Sequence, residues 1–168
     1  AIFGEPSGTK QITIGYKGRI AINLKISVRD SAHASAPWLA KNAIEESSLF
    51  VNEIKAKLES GQENKTKGMM LTATITEIKG GLSHNVTPRE CDSTLDIRIP
   101  VGTSCKSVEE KISKVVKEIS KKQQVEAFYS IIDETEPFEA EHNSPLVRAL
   151  TLGILDIEKN RPTLIRKT

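Results

Sequence analysis

Two short segments carry residue types that can do chemistry. In Ser31-Ala32-His33-Ala34-Ser35-Ala36-Pro37 a single imidazole stands among small side chains. Small neighbours let a backbone or ligand approach closely, and a loop histidine can donate a hydrogen bond to a developing oxyanion. In Ser83-His84-Asn85-Val86-Thr87-Pro88 an Asn opens a strand that carries Arg98 13 residues further on. Asn85 is suited to an amide, and Arg98 to a carboxylate through its bidentate fork. Each also has a plainer reading. His33 can cap loop backbone, and Arg98 can pair with Asp96 on the surface.

Nothing else in the chain assembles an active site. His33, His84 and His142 are scattered, without the H-x-x-x-H or H-E-x-x-H spacing that sets two imidazoles on one helical face. G-x-S-x-G and G-x-x-x-x-G-K-[ST] are absent. Cys91 and Cys105 form no C-x-x-C, which argues against a disulfide framework or a cysteine zinc site, although hyperthermophile cytosols tolerate disulfides. The residues alone describe a domain rather than a complete catalytic centre.

The elements that must position these segments follow from periodicity. Ile20, Ile22, Leu24, Ile26 and Val28 alternate with small and polar residues, which predicts a half-buried strand. A loop over 29–37 leads to a helix whose face is Ala43, Ser47, Phe50, Val51, Ile54 and Leu58, stopped by Gly61. Residues 70–78 read as a second strand, and Cys91, Ser93, Leu95, Ile97 and Ile99 alternate as a third, with Gly80-Gly81 between them. Asp92, Thr94, Asp96 and Arg98 then give that strand a polar second face. Ser107-x-x-Glu110 matches a capping box and predicts the start of a second helix through Val108, Ile112, Val115 and Ile119. A fourth strand covers 125–132. The order β-α-β-β-α-β predicts an α+β fold, the ferredoxin-like plait with two helices on one face of a four-stranded antiparallel sheet.

The ends do not fit inside that plait. Ala1 to Gly8 reads as the end of a strand; Ser144-Pro145 opens a further helix over 146–157, and a last apolar stretch covers 163–165. Such pieces need a second core, so the plait is expected to be an insert whose flanks belong to another domain.

Composition bounds the rest. The 168 residues suit one domain, and 24 basic against 22 acidic side chains give +2, too balanced to point to nucleic acid or a membrane surface. Seventeen of the basic residues are Lys, 17 of the acidic ones are Glu, and 19 residues are Ile, a hyperthermophile pattern. No apolar run is long enough to span a bilayer, and the first residues lack a signal-peptide pattern, so a cytoplasmic protein is expected.

Four ordered motifs together resemble one family. Gly4-Glu5-Pro6-Ser7-Gly8, Gly15-Tyr16-Lys17-Gly18, Ala32-His33-Ala34-Ser35-Ala36-Pro37 with Asn42-Ala43-Ile44, and Asn85-Val86-Thr87-Pro88 through Asp96-Ile97-Arg98 are similar to the di-zinc amidohydrolases of the M20 peptidase family. Within it, Gly15-Tyr16-Lys17-Gly18-Arg19 and the terminal Arg161-Pro162-Thr163-Leu164-Ile165-Arg166-Lys167-Thr168 most resemble the LysW-lysine/LysW-ornithine hydrolases, which release an amino acid from the amino-group carrier protein LysW. The resemblance implies two zinc (or cobalt) ions in the full-length enzyme, with Glu5 as one ligand. It implies that His33 stabilises the oxyanion in the partner subunit's site, that Asn85 and Arg98 contact substrate, and that the lid makes a homodimer. The family's remaining metal ligands and its general base match no residue of the chain. The resemblance therefore implies a lid domain over 19–133 flanked by catalytic-domain pieces, 1–18 and 134–168, holding no metal tightly and inactive alone. N-acyl amino-acid deacylases, succinyl-diaminopimelate desuccinylases and carboxypeptidases are the alternatives within the family. A stand-alone dimeric ferredoxin-like binding module is the alternative outside it.

Overall fold

The structure is a computed structural model and describes residues 8–167. Four strands, β2 (Gly18–Ser27), β3 (Thr72–Gly80), β4 (Glu90–Ile99) and β5 (Glu126–Thr135), form one antiparallel sheet in the order β3-β4-β2-β5. Helices α1 (Ala43–Glu59) and α2 (Cys105–Gln123) cover one face, which is the predicted plait. Its core holds the alternating inward residues of β2 and β4, from Ile20 to Ile26 and from Cys91 to Ile99, against Phe50, Val51 and Ile54 of α1 and Val108, Ile112 and Val115 of α2. Burying apolar side chains on one face only fixes the register, because a slip of one residue would turn every one of them outward. β2 and β4 pair without a bulge from Gly18 opposite Ile99 to Ser27 opposite Glu90.

The helices begin where side chains satisfy orphan amides. Asn42 caps α1 by accepting from the Ile44 N–H at 3.0 Å, and Gly61 follows its end with φ +73°. α2 starts one turn earlier than the Ser107 capping box predicts. Ser104 Oγ accepts the Ser107 N–H at 3.2 Å, so Ser104 is the cap, and Ser107 Oγ turns back to donate to the Ser104 carbonyl at 2.9 Å. Starting at Cys105 lets α2 bury Cys105 as well as Val108.

A second, smaller sheet has the order β6-β1-β7, with β1 (Gln11–Tyr16) between β6 (Phe138–Glu139) and a parallel β7 (Thr163–Lys167). Helix α3 (Pro145–Glu158) lies on it, capped by Ser144 with Pro145 in its first turn. This region has a core of its own in Ile12, Ile14 and Val147, extended by Ala140, Leu150, Ile154 and Leu164. The core satisfies one side of α3 only: Leu152 is 66 % and Ile157 80 % exposed. Gly15 is required in β1 because a Cβ there would lie 2.9 Å from the Phe138 carbonyl oxygen. Glu139 and Arg166, its neighbours on either side, join across it, with Arg166 Nε donating to Glu139 Oε2 at 2.9 Å.

Candidate functional site

The loop after β2 and the loop before β4 are zipped together by backbone. The Val28 N–H donates to the Arg89 carbonyl at 2.9 Å, the Ala34 N–H to Asn85 at 2.8 Å and the Thr87 N–H to Ala32 at 2.8 Å. The buried Thr87 hydroxyl accepts the Ala32 N–H at 2.8 Å. The result is a short antiparallel bridge that sets His33 opposite Val86 and beside Asn85. Ala32, Ala34 and Ala36 leave room for so close an approach.

The hydrogen bonds then fix what each side chain can offer. His33 is exposed, and its Nδ1 accepts the Ser35 backbone N–H at 3.2 Å and lies 2.8 Å from Ser35 Oγ. An amide hydrogen cannot be reassigned, so Nδ1 presents its lone pair, and the neutral ring carries its proton on Nε2. Asn85 Oδ1 accepts from the Ser83 hydroxyl at 2.7 Å, which leaves its carboxamide nitrogen as donor. The bridge thus makes His33 and Asn85 backbone neighbours at one end of the sheet. A groove of about 1230 Å³ adjoins the bridge at Val86 and is lined by Ser31, Ser83, Thr87, Arg89, Glu90 and Glu126 among others, with neither His33 nor Asn85 in its wall.

Arg98 lies elsewhere. Glu90 and Arg98 occupy the two ends of β4, about 27 Å apart at the ordinary rise of a strand. Arg98 makes the ion pair with Asp96 that its plainer reading foresees: Nε to Oδ1 at 2.7 Å and Nη2 to Oδ2 at 3.4 Å. Arg19 of β2 joins the same carboxylate, Nε to Oδ2 at 2.7 Å, and reaches Asp133 of β5 with Nη1 at 2.7 Å. Nearby, Lys17 Nζ donates to the Met70 carbonyl at 2.7 Å. Burial, and then the Arg98 guanidinium, hold its ammonium below the usual lysine range. The structure therefore brings His33 and Asn85 together and sets Arg98 apart. Glu5 lies outside the described residues.

Ser35, Asp96, Arg19 and Lys17 were not singled out by sequence as site residues. The D-x-R spacing signals Asp96, since alternate residues of a strand share a face. Lys17 and Arg19 stand in the Gly15–Arg19 motif, which assigns neither of them a site role.

A pair of metal ions does not fit the described residues. The one cluster with enough ligand atoms there is Cys105, Glu134 and Glu136. Burial first, then Glu136 and Glu134, push the Cys105 thiol up to about 11, so it is protonated at neutral pH and donates to the Thr135 carbonyl at 3.4 Å. Both Glu136 oxygens accept the Cys105 N–H, at 3.2 and 3.0 Å. This is a helix-start anchor rather than a zinc site.

Residues 14–124 match the family model of the peptidase dimerisation domain of M20 enzymes. The chain belongs to the M20 peptidase dimerisation-domain family. Among curated relatives, a [LysW]-lysine/[LysW]-ornithine hydrolase of Saccharolobus islandicus is 30 % identical over 168 residues, covering 99 % of this chain and 42 % of the relative. A probable carboxypeptidase of Aspergillus clavatus is 32 % identical over 126 residues, covering 71 % of this chain and 29 % of its own length. This M20 chain thus spans less than half the length of these relatives. Its fold is also that of solved structures. A tripeptidase from Staphylococcus aureus superposes with a TM-score of 0.72 at 19 % identity, over 91 % of this chain and 39 % of that one. An amidase of the hydantoinase/carbamoylase family from Burkholderia vietnamiensis gives 0.74 at 18 % identity, over 94 % and 37 %. Among the described residues of this M20 domain, no helix is long and apolar enough to cross a membrane.

Proposed function

We propose that this chain is the lid and dimerisation part of a cytoplasmic, metal-dependent M20 hydrolase, with the lid proper over 19–133 and catalytic-domain pieces over 1–18 and 134–168. The enzyme cleaves an amide whose amine side is an amino acid with a free carboxylate. The observation that carries this reading is the separation, by the length of β4, of Arg98 from the loops that hold His33 and Asn85. About 27 Å of strand is more than one small substrate bridges, whereas a lid shared by two catalytic centres puts each end to use. His33 and Asn85 serve the partner subunit's centre and Arg98 serves the other.

In that arrangement His33 donates a hydrogen bond from Nε2–H to the carbonyl oxygen as charge develops on it, Asn85 orients the amide, and Arg98 grips the product carboxylate. The metal pair and the base that activates water belong to residues outside this chain, with Glu5 as its one contribution. The Saccharolobus islandicus relative's name supports lysine or ornithine bound to the carrier protein LysW as substrate. The Aspergillus clavatus relative's name supports a peptide C-terminus instead.

Mixed dimers of the full-length enzyme test the shared lid. His33→Ala and Arg98→Ala homodimers are both impaired, and a heterodimer of one with the other recovers about half of wild-type activity, because one of its two centres has both groups intact. A heterodimer no better than its parents overturns the reading.

A further inference from the structure

β2 and β4 place Arg19 and Arg98 directly opposite one another on the helix-free face of the sheet. Like charges in such cross-strand pairs are ordinarily destabilising. Here the pair is held by Asp96, whose side chain is only 15 % exposed beneath them. Each Asp96 oxygen takes one guanidinium at 2.7 Å, Oδ2 from Arg19 and Oδ1 from Arg98. Asp133 takes Arg19 Nη1 at 2.7 Å. After these bonds Arg98 keeps Nη1 and Arg19 keeps Nη2, on side chains 43 % and 39 % exposed. Lys17, Arg19 and Arg98 against Asp96 and Asp133 leave the cluster one positive charge. A carboxylate arriving from solvent can bridge the two guanidinium groups as Asp96 does from below.

We propose that Arg19 is a second carboxylate-binding residue, and that Arg19 and Arg98, spaced and aimed by Asp96, form one receptor for the free carboxylate of the substrate's amino-acid part. The inference rests on Arg98 as a substrate contact and adds to it. It assigns Arg19 to specificity and makes Asp96 a positioning residue: without Asp96 the two cations repel and lose their common anchor. Two forks in fixed geometry discriminate a carboxylate from a carboxamide more sharply than one, since a carboxamide brings a donor where both forks need an acceptor.

The test compares hydrolysis of Nα-acetyl-lysine with that of its carboxamide by the full-length enzyme and its Arg19→Gln, Arg19→Lys and Asp96→Asn variants. Arg19→Gln raises KM for the acid about tenfold with kcat within twofold, in the range of a lost hydrogen bond to a charged group. Carboxamide turnover falls less than acid turnover, and a thermal melt superimposable on that of the wild type reports that the variant folds. Arg19→Lys, which keeps the charge and loses the fork, recovers only part of the acid preference. Asp96→Asn raises KM for the acid although both arginines remain. A wild type that hydrolyses both compounds without preferring the acid, or an Arg19→Gln unchanged or impaired equally on both, overturns the receptor alone. A wild type that hydrolyses neither compound, and neither the carrier conjugate nor a peptide, overturns the hydrolase reading and the receptor with it.

Discussion

The backbone N–H of Ser35 points at the Nδ1 lone pair of His33 from 3.2 Å, and so decides which nitrogen of the exposed ring donates outward. The neutral imidazole is expected as the Nε2–H tautomer, read from long-range ¹H–¹⁵N correlations. Ser35→Ala keeps that tautomer, because the amide that enforces it remains. In the full-length enzyme His33→Ala lowers kcat by about 10²-fold or more, the usual effect of losing an oxyanion donor. An unchanged kcat returns His33 to a loop-capping role.

Ser47 of α1 and Ser93 of β4 are fully buried, and their hydroxyls meet at 2.7 Å in an otherwise apolar layer. Ser93→Ala strands the Ser47 hydroxyl and is expected to cost about 1–3 kcal/mol. The double alanine variant costs less than the sum of the singles, since no unpaired group is left. Urea denaturation of the four proteins of the cycle measures this.

Glu139 joins Arg166 across the bare backbone of Gly15, and that contact first, then the one with His142, holds its carboxyl down at about 2. A carboxyl whose folded value lies below its unfolded one, here 4.5, stabilises the fold above that unfolded value and loses the contribution as pH falls towards 2. Amide hydrogen exchange in the small sheet is therefore expected to accelerate relative to the plait between these pH values, and Glu139→Gln to remove the difference. Equal acid response in wild type and variant counts against the ion pair.

At Gly18, where β1 passes into β2, an added Cβ would lie 2.6 Å from Pro137 Cδ and N and 2.7 Å from the Thr135 carbonyl oxygen. None of these is a flexible side-chain end. Gly18→Ala is expected to destabilise by about 1–3 kcal/mol, the cost of overpacking, with Tm falling accordingly.

Lys106, Lys111, Lys114, Lys117, Lys121 and Lys122 all lie exposed on α2, and only Lys114 reaches a carboxylate within the helix, Glu118 at 3.9 Å. If this face receives an acidic carrier protein, hydrolysis of the carrier conjugate weakens as salt rises while that of a small acyl-lysine does not. Equal salt dependence of the two rates counts against docking there.

By itself the sequence determined the plait. Period-two and period-3.6 patterns report neighbours within a strand or a helix turn, so β2, β4 and α1 were legible, and with them the polar face that carries Asp96 and Arg98. Motif spacing made His33, Asn85 and Arg98 legible as candidates, but not their grouping. Asn85 is far from His33 in sequence and adjacent to it through the Val86 bridge, yet close to Arg98 in sequence and about a strand length away in space. Cross-strand register decided that, and register follows from which residues the two helices cover. The same cause moved the α2 cap to Ser104, set Arg19 opposite Arg98, and let Glu139 reach Arg166. Contacts between elements depend on where the core locks each element against the next, and no local pattern encodes that position.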